Sequence, residues 1–275
     1  MNKINAKINK HLKNKVNKGE KMKNKKKIAI WFTLTLLLLI AVGFITLNNF
    51  TYQPSSLAFE AATNTNSYTV ETTNDVVYFK PIKKPLTHSL IFYQGALVNQ
   101  KSYSIWASKL ASEGYPVYLV HHPFNLAVTN KNKAQDIIKE YAIREYIIGG
   151  HSLGGVMASR YAHDKQKDPT LDTGSLKGVF FLASYPDSNG SLNNTDLSAL
   201  SVTGSNDGVL DQQAYLESKK FLPDQTLYSS IEGGNHAGFG SYGRQKGDSS
   251  AAITNKEQQE ILYSTLSSWL KTFEN

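Results

Sequence analysis

The sequence predicts an α/β fold: a mostly parallel sheet with helices on both faces, preceded by one transmembrane helix. Two observations carry this prediction. Beyond residue 68, short β-rich runs alternate with helical patterns, which is typical of a parallel sheet covered on both faces. Earlier in the chain, twenty consecutive residues, 28–47, carry no formal charge.

Seven short runs are predicted to be strands, because β-branched and aromatic residues dominate them. Ligands of parallel sheets bind at the carboxyl ends of the strands, so the functional residues are expected there. The predicted strands cover residues 76–80, 89–93, 117–121, 146–148, 178–182, 200–203 and 226–231.

Apolar residues at helical spacing indicate three helices between and after these strands. The first is closed by Gly114, and the last begins with Thr254 and Glu257, which are spaced as a capping box. The apolar faces consist of Tyr103, Trp106, Ala107, Leu110 and Ala111; of Ala134, Ile137, Ile138 and Tyr141; and of Leu262, Leu266, Trp269, Leu270 and Phe273.

Positive charge is concentrated at the N-terminus. Residues 1–27 hold eleven lysines and one glutamate, about +10, whereas the whole chain carries +8, so the remainder is slightly negative. This tail contains no arginine and no aromatic residue, which argues against a nucleic acid as partner.

Residues 28–47 account for this basic tail better. A helix of that length spans about 30 Å, the hydrocarbon thickness of a bilayer, and Trp31, Phe50 and Tyr52 lie near its ends as interfacial aromatics do. We therefore expect a single-pass protein of the cell membrane, with residues 1–27 cytoplasmic and the remainder extracytoplasmic. A cleaved signal peptide is the main alternative, although its apolar core is usually shorter. A buried core helix would leave the lysines unexplained.

The rest of the chain divides into two parts. Residues 48–67 are rich in Asn, Thr and Ser without sustained periodicity, and we expect them to form a stalk. The folded domain is then expected at residues 68–275. The chain has no cysteine, which excludes disulfides, metal–thiolate sites and a cysteine nucleophile.

The most informative motif is Gly150-His151-Ser152-Leu153-Gly154, just after the strand predicted at 146–148. A serine raised above a sheet on a tight strand-to-helix turn brings positions 150 and 154 so close that only glycine fits. The following helix points its N-terminus at Ser152, where free N–H groups favour negative charge. Glycine-rich turns of this kind also bind phosphate, so the motif alone does not distinguish a serine nucleophile from a phosphate site. The rest of the chain must distinguish them.

A serine nucleophile needs a histidine base and an acid that orients the histidine. His236 lies in a glycine-rich loop after the last predicted strand, and Asp207 follows the strand before it. A lone histidine is more often structural, and Asn-Asp-Gly is ordinary turn chemistry; Asp211 and Asp187 are alternative acids. We expect Ser152, Asp207 and His236 to be catalytic, with no metal and no organic cofactor.

Serine, aspartate and histidine in this chain order resemble the triad of the α/β-hydrolase family, and the resemblance covers essentially all of residues 68–275. The segments 92–96, 122–127 and 234–240 are similar to the small dienelactone-hydrolase-like branch, which has little or no cap. Named dienelactone hydrolases use a cysteine nucleophile; serine replaces it here, so the lactone substrate does not carry over. The polar stretch 184–198 stands where other members insert a lid, and because it is short we expect an open site.

The resemblance also implies which groups surround the reacting atoms. The backbone N–H groups of Leu153 and Ala96 would form the oxyanion hole. Gly95 is the alternative second donor, or simply a turn glycine. Gly95, Phe124 and Asn125 would line the substrate.

Together these features predict a membrane-anchored serine hydrolase, carboxylesterase-like, acting on a small-molecule ester or a lipid-like substrate through an acyl-enzyme. An acyltransferase or a lipase could use the same three residues. From a different class, the domain could be an inert binding module on the cell envelope. The intact serine, acid and histidine argue against that alternative.

Overall fold

The computed structural model describes residues 25, 27, 31–38, 43, 50–83 and 85–274. The chain divides into two units, Met1–Phe50 and Thr51–Asn275. In the first unit, residues 31–38 are helical; most of the expected anchor at 28–47, and nearly all of the lysine tail, lie outside the described residues. In the part that is described, no helix combines the length and the apolar character needed to cross a bilayer.

The second unit is built on one eight-stranded sheet. The strands are β1 (Tyr68–Thr72), β2 (Val76–Pro81), β3 (His88–Tyr93), β4 (Val117–Val120), β5 (Glu145–His151), β6 (Ser175–Leu182), β7 (Ser198–Gly204) and β8 (Leu227–Ile231). Their spatial order is β1-β2-β4-β3-β5-β6-β7-β8. The pairs β1–β2 and β2–β4 are antiparallel, and all pairs from β4 to β8 are parallel.

Six α-helices accompany the sheet in the described part of this unit: α1 (Ser56–Ala61), α2 (Ser104–Glu113), α3 (Lys133–Glu140), α4 (Leu153–Lys167), α5 (Gln212–Ser218) and α6 (Asn255–Leu270). Two apolar cores result. Helices α2 and α6 bury their apolar faces with one side of the sheet, and α3 and α4 do so with the other side. The predicted arrangement of helices on both faces is confirmed.

The predicted ends of two helices are also confirmed. Gly114 closes α2 in the left-handed region, with φ 113°, a conformation that glycine adopts without steric cost. At the start of α6, the Thr254 side chain accepts from the backbone of Glu257, and the Glu257 side chain accepts from the backbone of Thr254. Both bonds of the capping box are therefore present.

Residues 51–67 differ from the expected stalk. The backbone of Tyr52 pairs with that of Val98, and the Ser55 N–H donates to the Ser241 carbonyl at 2.7 Å. Ser55 also caps α1 by accepting from the Ala58 N–H. The compact unit thus begins at Thr51 rather than near residue 68. The sequence did not predict α1, because a six-residue helix is too short to show periodicity.

Candidate active site

The turn between β5 and α4 has the predicted tight geometry. Ser152 adopts φ 52° and ψ −124°, a strained conformation for a non-glycine residue that typically costs about 1–3 kcal/mol. A Cβ atom on Gly150 would lie 2.4 Å from the carbonyl carbon of Gly154, and one on Gly154 would lie 2.2 Å from the Tyr93 carbonyl oxygen. The glycines at both positions therefore allow the turn, and the predicted elbow is present.

His236 and Asp207 form a buried pair beside this turn. The His236 Nδ1 lies 2.8 Å from Asp207 Oδ2, and the two side chains are 1% and 0% exposed. Asp207 Oδ1 accepts from the N–H groups of Val209 and Leu210, each at 2.8 Å. Asp207 therefore has both of the roles considered for it. One carboxylate oxygen stabilises the turn, and the other bonds to His236.

The outer nitrogen of His236 remains available. Among the described residues, no hydrogen-bond partner is found for its Nε2, although the atom is buried. Because Nδ1 is engaged by Asp207, Nε2 is the nitrogen left to exchange a proton with a nucleophile. Ser152 is half-buried at the end of β5, on the same sheet edge as the loops that carry Asp207 and His236.

The two alternative acids are engaged elsewhere. Asp211 is exposed and caps α5 by accepting from the Ala214 N–H at 3.0 Å. Asp187 pairs with the guanidinium of Arg160, and this hydrogen bond holds the pKa of its carboxyl below the usual value. Of the three candidates, only Asp207 is placed against His236.

The predicted oxyanion donors are Leu153, the first residue of α4, and Ala96, on the loop after β3. In the described part of the chain, neither backbone N–H is paired with a protein acceptor. The Gly95 N–H instead donates to the Tyr103 hydroxyl at 3.0 Å. Gly95 is therefore engaged, which leaves Ala96 as the free donor on that loop.

The predicted substrate-lining residues have different surroundings. Phe124 is 47% exposed, and both Phe124 and Asn125 have left-handed backbones, with φ 59° and 54°. The Asn125 carbonyl accepts from the Leu97 N–H at 2.8 Å, and its side-chain amide donates to Thr51 Oγ1 at 3.3 Å. Asn125 thus supports the loop that carries Ala96, whereas Phe124 presents an apolar ring to solvent.

Two further groups of residues contact the site, and one of them lies in the segment 242–248, which the sequence predicts to lie near His236. Asp248 accepts from the backbone N–H groups of His236 and Ala237, at 3.3 and 2.8 Å, and so fixes the histidine loop. The His151 side chain lies against His236, with ring centroids 4.5 Å apart, and bonds to Tyr103. The position of His151 beside the nucleophile was the one sequence signal for this contact; Asp248 lies in a polar segment without periodicity.

One surface cavity of the domain lies away from these residues. It measures about 640 Å³ and is lined by β7, β8 and α6, with Leu227 and Trp269 among its walls. A cavity of about 450 Å³ lies behind the histidine loop, lined by Asn235, Arg244 and Asp248 among others. In the described ranges, no three His, Asp or Glu side chains are grouped as metal ligands would be.

The sheet order and the serine turn define an α/β protein of the hydrolase type. A family model described as the alpha/beta hydrolase family matches residues 89–260, and the chain belongs to this family.

Several solved structures share the fold. An alpha/beta hydrolase from a sediment metagenome of the Mar Chica lagoon, Morocco, has a TM-score of 0.53 at 13% identity, covering 75% of this chain and 99% of its own. The esterase domain of a Rhodothermus marinus protein has a TM-score of 0.53 at 12% identity, covering 74% and 97%. A bacterial membrane phospholipase A has a TM-score of 0.53 at 13% identity, covering 89% and 99%. No curated protein sequence matches this chain.

Proposed function

We propose that this protein is a membrane-anchored serine esterase in which Ser152 is the nucleophile, His236 the general base and Asp207 the acid that orients it. The observation that carries the proposal is the buried His236–Asp207 hydrogen bond of 2.8 Å, on the sheet edge where Ser152 stands in a strained turn. A buried histidine that bonds through Nδ1 and has a free Nε2 is oriented for proton transfer.

The reaction follows from this placement. The Ser152 Oγ attacks the ester carbonyl carbon while its proton passes to His236 Nε2, and the carbonyl oxygen becomes an oxyanion. The N–H groups of Leu153 and Ala96 stabilise this charge. The alcohol leaves with the proton from His236, giving an acyl-enzyme. A water molecule then attacks the acyl carbon while its proton passes to His236. The bond between the acyl carbon and Ser152 Oγ breaks as His236 returns the proton to Oγ, which releases the acid and restores Ser152.

The substrate class proposed is a carboxylic ester, either a small molecule or lipid-like. Family membership supports hydrolysis, and the proteins of similar fold include an esterase domain and a phospholipase A. The connection between β6 and β7, residues 183–197, contains the 3₁₀ turn Ser188–Gly190 and no α-helix or strand, which supports an open site without a cap domain.

Active-site labelling tests the chemistry. The full-length protein in detergent is treated with a fluorophosphonate, which reacts with activated serines, and assayed with p-nitrophenyl esters of short and long acids. Labelling should map to Ser152 and be lost, with ester turnover, in Ser152→Ala and His236→Ala. Ser268→Ala, at an exposed position on α6, is the matched control and should label as the wild type does. A folded wild-type protein that neither labels nor turns over any ester would favour the inert binding module.

The membrane anchor is a separate part of the proposal. The uncharged segment 28–47 behind a lysine-rich tail supports a single span with residues 1–27 in the cytoplasm and the enzyme domain outside. The full-length protein should stay in the membrane pellet after alkaline carbonate extraction, and a protein beginning at Thr51 should not. Release of the full-length protein by carbonate would contradict the anchor without affecting the esterase proposal.

A further inference from the structure

A chain of hydrogen bonds lies beneath the nucleophile. The Gly95 N–H donates to the Tyr103 hydroxyl at 3.0 Å, and the same hydroxyl lies 2.9 Å from His151 Nδ1. Tyr103 is 0% and His151 1% exposed. The chain thus joins the loop that carries Ala96 to the residue directly before Ser152.

The direction of each bond follows from proton counting. The Gly95 N–H can only donate, so the Tyr103 oxygen is an acceptor there. Burial raises the pKa of Tyr103, so the phenol keeps its proton. His151 Nδ1, at 2.9 Å, is the acceptor that can pair this proton, and in that orientation Tyr103 donates to His151. In this orientation His151 Nδ1 is unprotonated, and the ring is the neutral tautomer with hydrogen on Nε2, a buried atom for which no hydrogen-bond partner is found among the described residues.

Gly95 makes room for this arrangement. A Cβ atom at position 95 would lie 2.7 Å from His151 Nδ1 and 3.2 Å from the Tyr103 hydroxyl oxygen. Any larger residue would push the two side chains apart. The role of Gly95 is therefore to admit the tyrosine and the histidine under the oxyanion loop, rather than to donate to the substrate.

His151 also faces the proposed base. Its ring centroid lies 4.5 Å from that of His236 and 5.9 Å from that of Phe239. The titratable groups that face it in the described part of the chain are Tyr103, from the turn before α2, and His236, from the loop after β8, behind which lies Asp207. Burial, and then the charge on His236, lower the pKa of His151 well below the usual value.

We propose that Tyr103 and His151 are positioning residues, which hold the oxyanion loop against the serine turn and keep an uncharged ring beside His236. The inference rests on the proposed esterase function. When His236 takes the serine proton it becomes an imidazolium, and a second positive charge within contact distance would oppose that step. A neutral His151, fixed by the Tyr103 proton, avoids the repulsion and keeps the Ala96 N–H aligned with that of Leu153.

The first test is the steady-state kinetics of Tyr103→Phe on a p-nitrophenyl ester. The variant lacks only the hydroxyl, so we expect kcat to fall by roughly 10- to 100-fold through misalignment of the loop, with KM changed by less than about twofold. Tyr115→Phe is the matched control, because Tyr115 is also a buried core tyrosine, 1% exposed, and should keep the wild-type kcat. Melting temperatures of both variants separate loss of folding from loss of alignment. A wild-type kcat in Tyr103→Phe would overturn the proposal.

The second test uses rescue at position 151. The Oδ1 of asparagine occupies nearly the position of a histidine Nδ1 and can accept the Tyr103 proton, but it cannot become charged. His151→Asn should therefore retain kcat within about fivefold, whereas His151→Leu, which has no acceptor, should lose as much as Tyr103→Phe. Equal losses in the two His151 variants would contradict positioning through this hydrogen bond.

A third measurement does not depend on activity. Nitrogen-15 NMR of the histidine rings, with His151 assigned by the loss of its signals in His151→Asn, should show hydrogen on Nε2 and no titration near the ordinary pKa of about 6.5. A proton on Nδ1, or titration near that pH, would overturn the inference even in an active enzyme. If the wild type instead shows neither fluorophosphonate labelling nor ester turnover, the esterase proposal and the positioning role that rests on it fail together, and the NMR result then decides only the hydrogen-bond chain.

Discussion

The carboxylate of Asp207 uses its two oxygens for different purposes, one for the turn at Val209 and Leu210 and one for His236. In Asp207→Asn, the amide oxygen can keep the turn while the amide nitrogen faces His236 Nδ1. The amide N–H would force the proton onto His236 Nε2, the wrong tautomer for a base. We expect kcat for ester hydrolysis to fall on the order of 10⁴-fold, with a nearly unchanged melting curve.

Asp211→Asn is the control for that experiment. Asp211 is exposed and caps α5, and asparagine caps helices about as well as aspartate. We expect wild-type kcat and a stability change of no more than about 0.5 kcal/mol. A large loss of kcat in Asp211→Asn, with little loss in Asp207→Asn, would show that Asp211 rather than Asp207 is the acid of the triad.

His122 predicts a pH dependence of stability. The ring is buried, and burial lowers its pKa to about 4, whereas an unfolded histidine has a pKa of about 6.5. At a pH between these two pKa values, His122 is protonated in the unfolded chain and neutral in the folded chain. Stability from this group is therefore complete above about pH 6.5 and is lost as pH falls toward 4, by about 2 kcal/mol between pH 7 and pH 5.

Urea unfolding of wild type and His122→Asn at the two pH values measures this contribution. In the orientation that satisfies its amide, Gln94 donates to the Val120 carbonyl at 2.6 Å and to His122 Nδ1 at 2.9 Å. An asparagine Oδ1 can accept the second bond without titrating. The variant should lose about 2 kcal/mol less than the wild type on acidification; an equal loss would show that His122 is not the group responsible.

At the scale of elements, the junction of β5 and α4 depends on the absence of side chains. An alanine Cβ at position 150 would lie 2.4 Å from the backbone of Gly154, so strand and helix would have to separate. We expect Gly150→Ala to destabilise the domain by about 3 kcal/mol or more. Gly243→Ala is the comparison: with φ 83° and no atom within 4 Å, it should cost only about 1–2 kcal/mol. Similar urea midpoints for the two variants would show that position 150 can accommodate a Cβ atom.

Burial explains which elements the sequence predicted. Strands β2 to β7 were found because most of their residues are buried in continuous runs. Strand β8 was found from its β-rich composition, although only its last residue, Ile231, is fully buried. The edge strand β1, in which only the first residue, Tyr68, is fully buried, was missed. Helices α1 and α5 were missed because they have six and seven residues, fewer than a periodic pattern needs.

Among the residues of the proposed site, some could be predicted from the local sequence and others could not. Ser152, Asp207 and His236 each stand in a local pattern, a glycine-lined turn or a loop directly after a buried strand, so each could be nominated from its neighbours in sequence. The contact of Tyr103 with His151 joins residues 48 positions apart. It depends on how the turn before α2 packs on the end of β5, and no local pattern encodes that packing.

At the scale of the whole molecule, the first residues of the folded unit connect the two halves of the site. The Tyr52 N–H donates to the Leu97 carbonyl at 2.7 Å, one residue beyond Ala96. The Tyr52 hydroxyl accepts from the Lys246 N–H at 3.1 Å, and Ser55 bonds to Ser241, both on the segment that follows His236. Residues 51–55 thus connect the loop that carries Ala96 to the segment that follows His236, shortly after the segment proposed to enter the membrane.

Two shortened proteins test whether this connection matters for catalysis. A protein beginning at Thr51 keeps the connection and should match the kcat of the full-length enzyme. One beginning at Ser56 lacks it, and also Tyr52, which packs against one core, but retains every strand and all buried residues of both apolar cores. It should therefore fold and yet lose roughly 10-fold or more in kcat as the two loops separate.

Because the second protein also loses the cap of α1, full-length Ser55→Ala is the control. It removes the capping hydroxyl and its bond to Ser241 Oγ but keeps the backbone bond of residue 55 to Ser241 and both Tyr52 bonds, and its kcat should stay within about twofold of the wild type. Full activity in the protein that begins at Ser56 would mean that residues 51–55 only link the domain to what precedes it, as a stalk does. Reduced activity with an intact fold would mean that the chain leaving the proposed anchor is part of the catalytic framework.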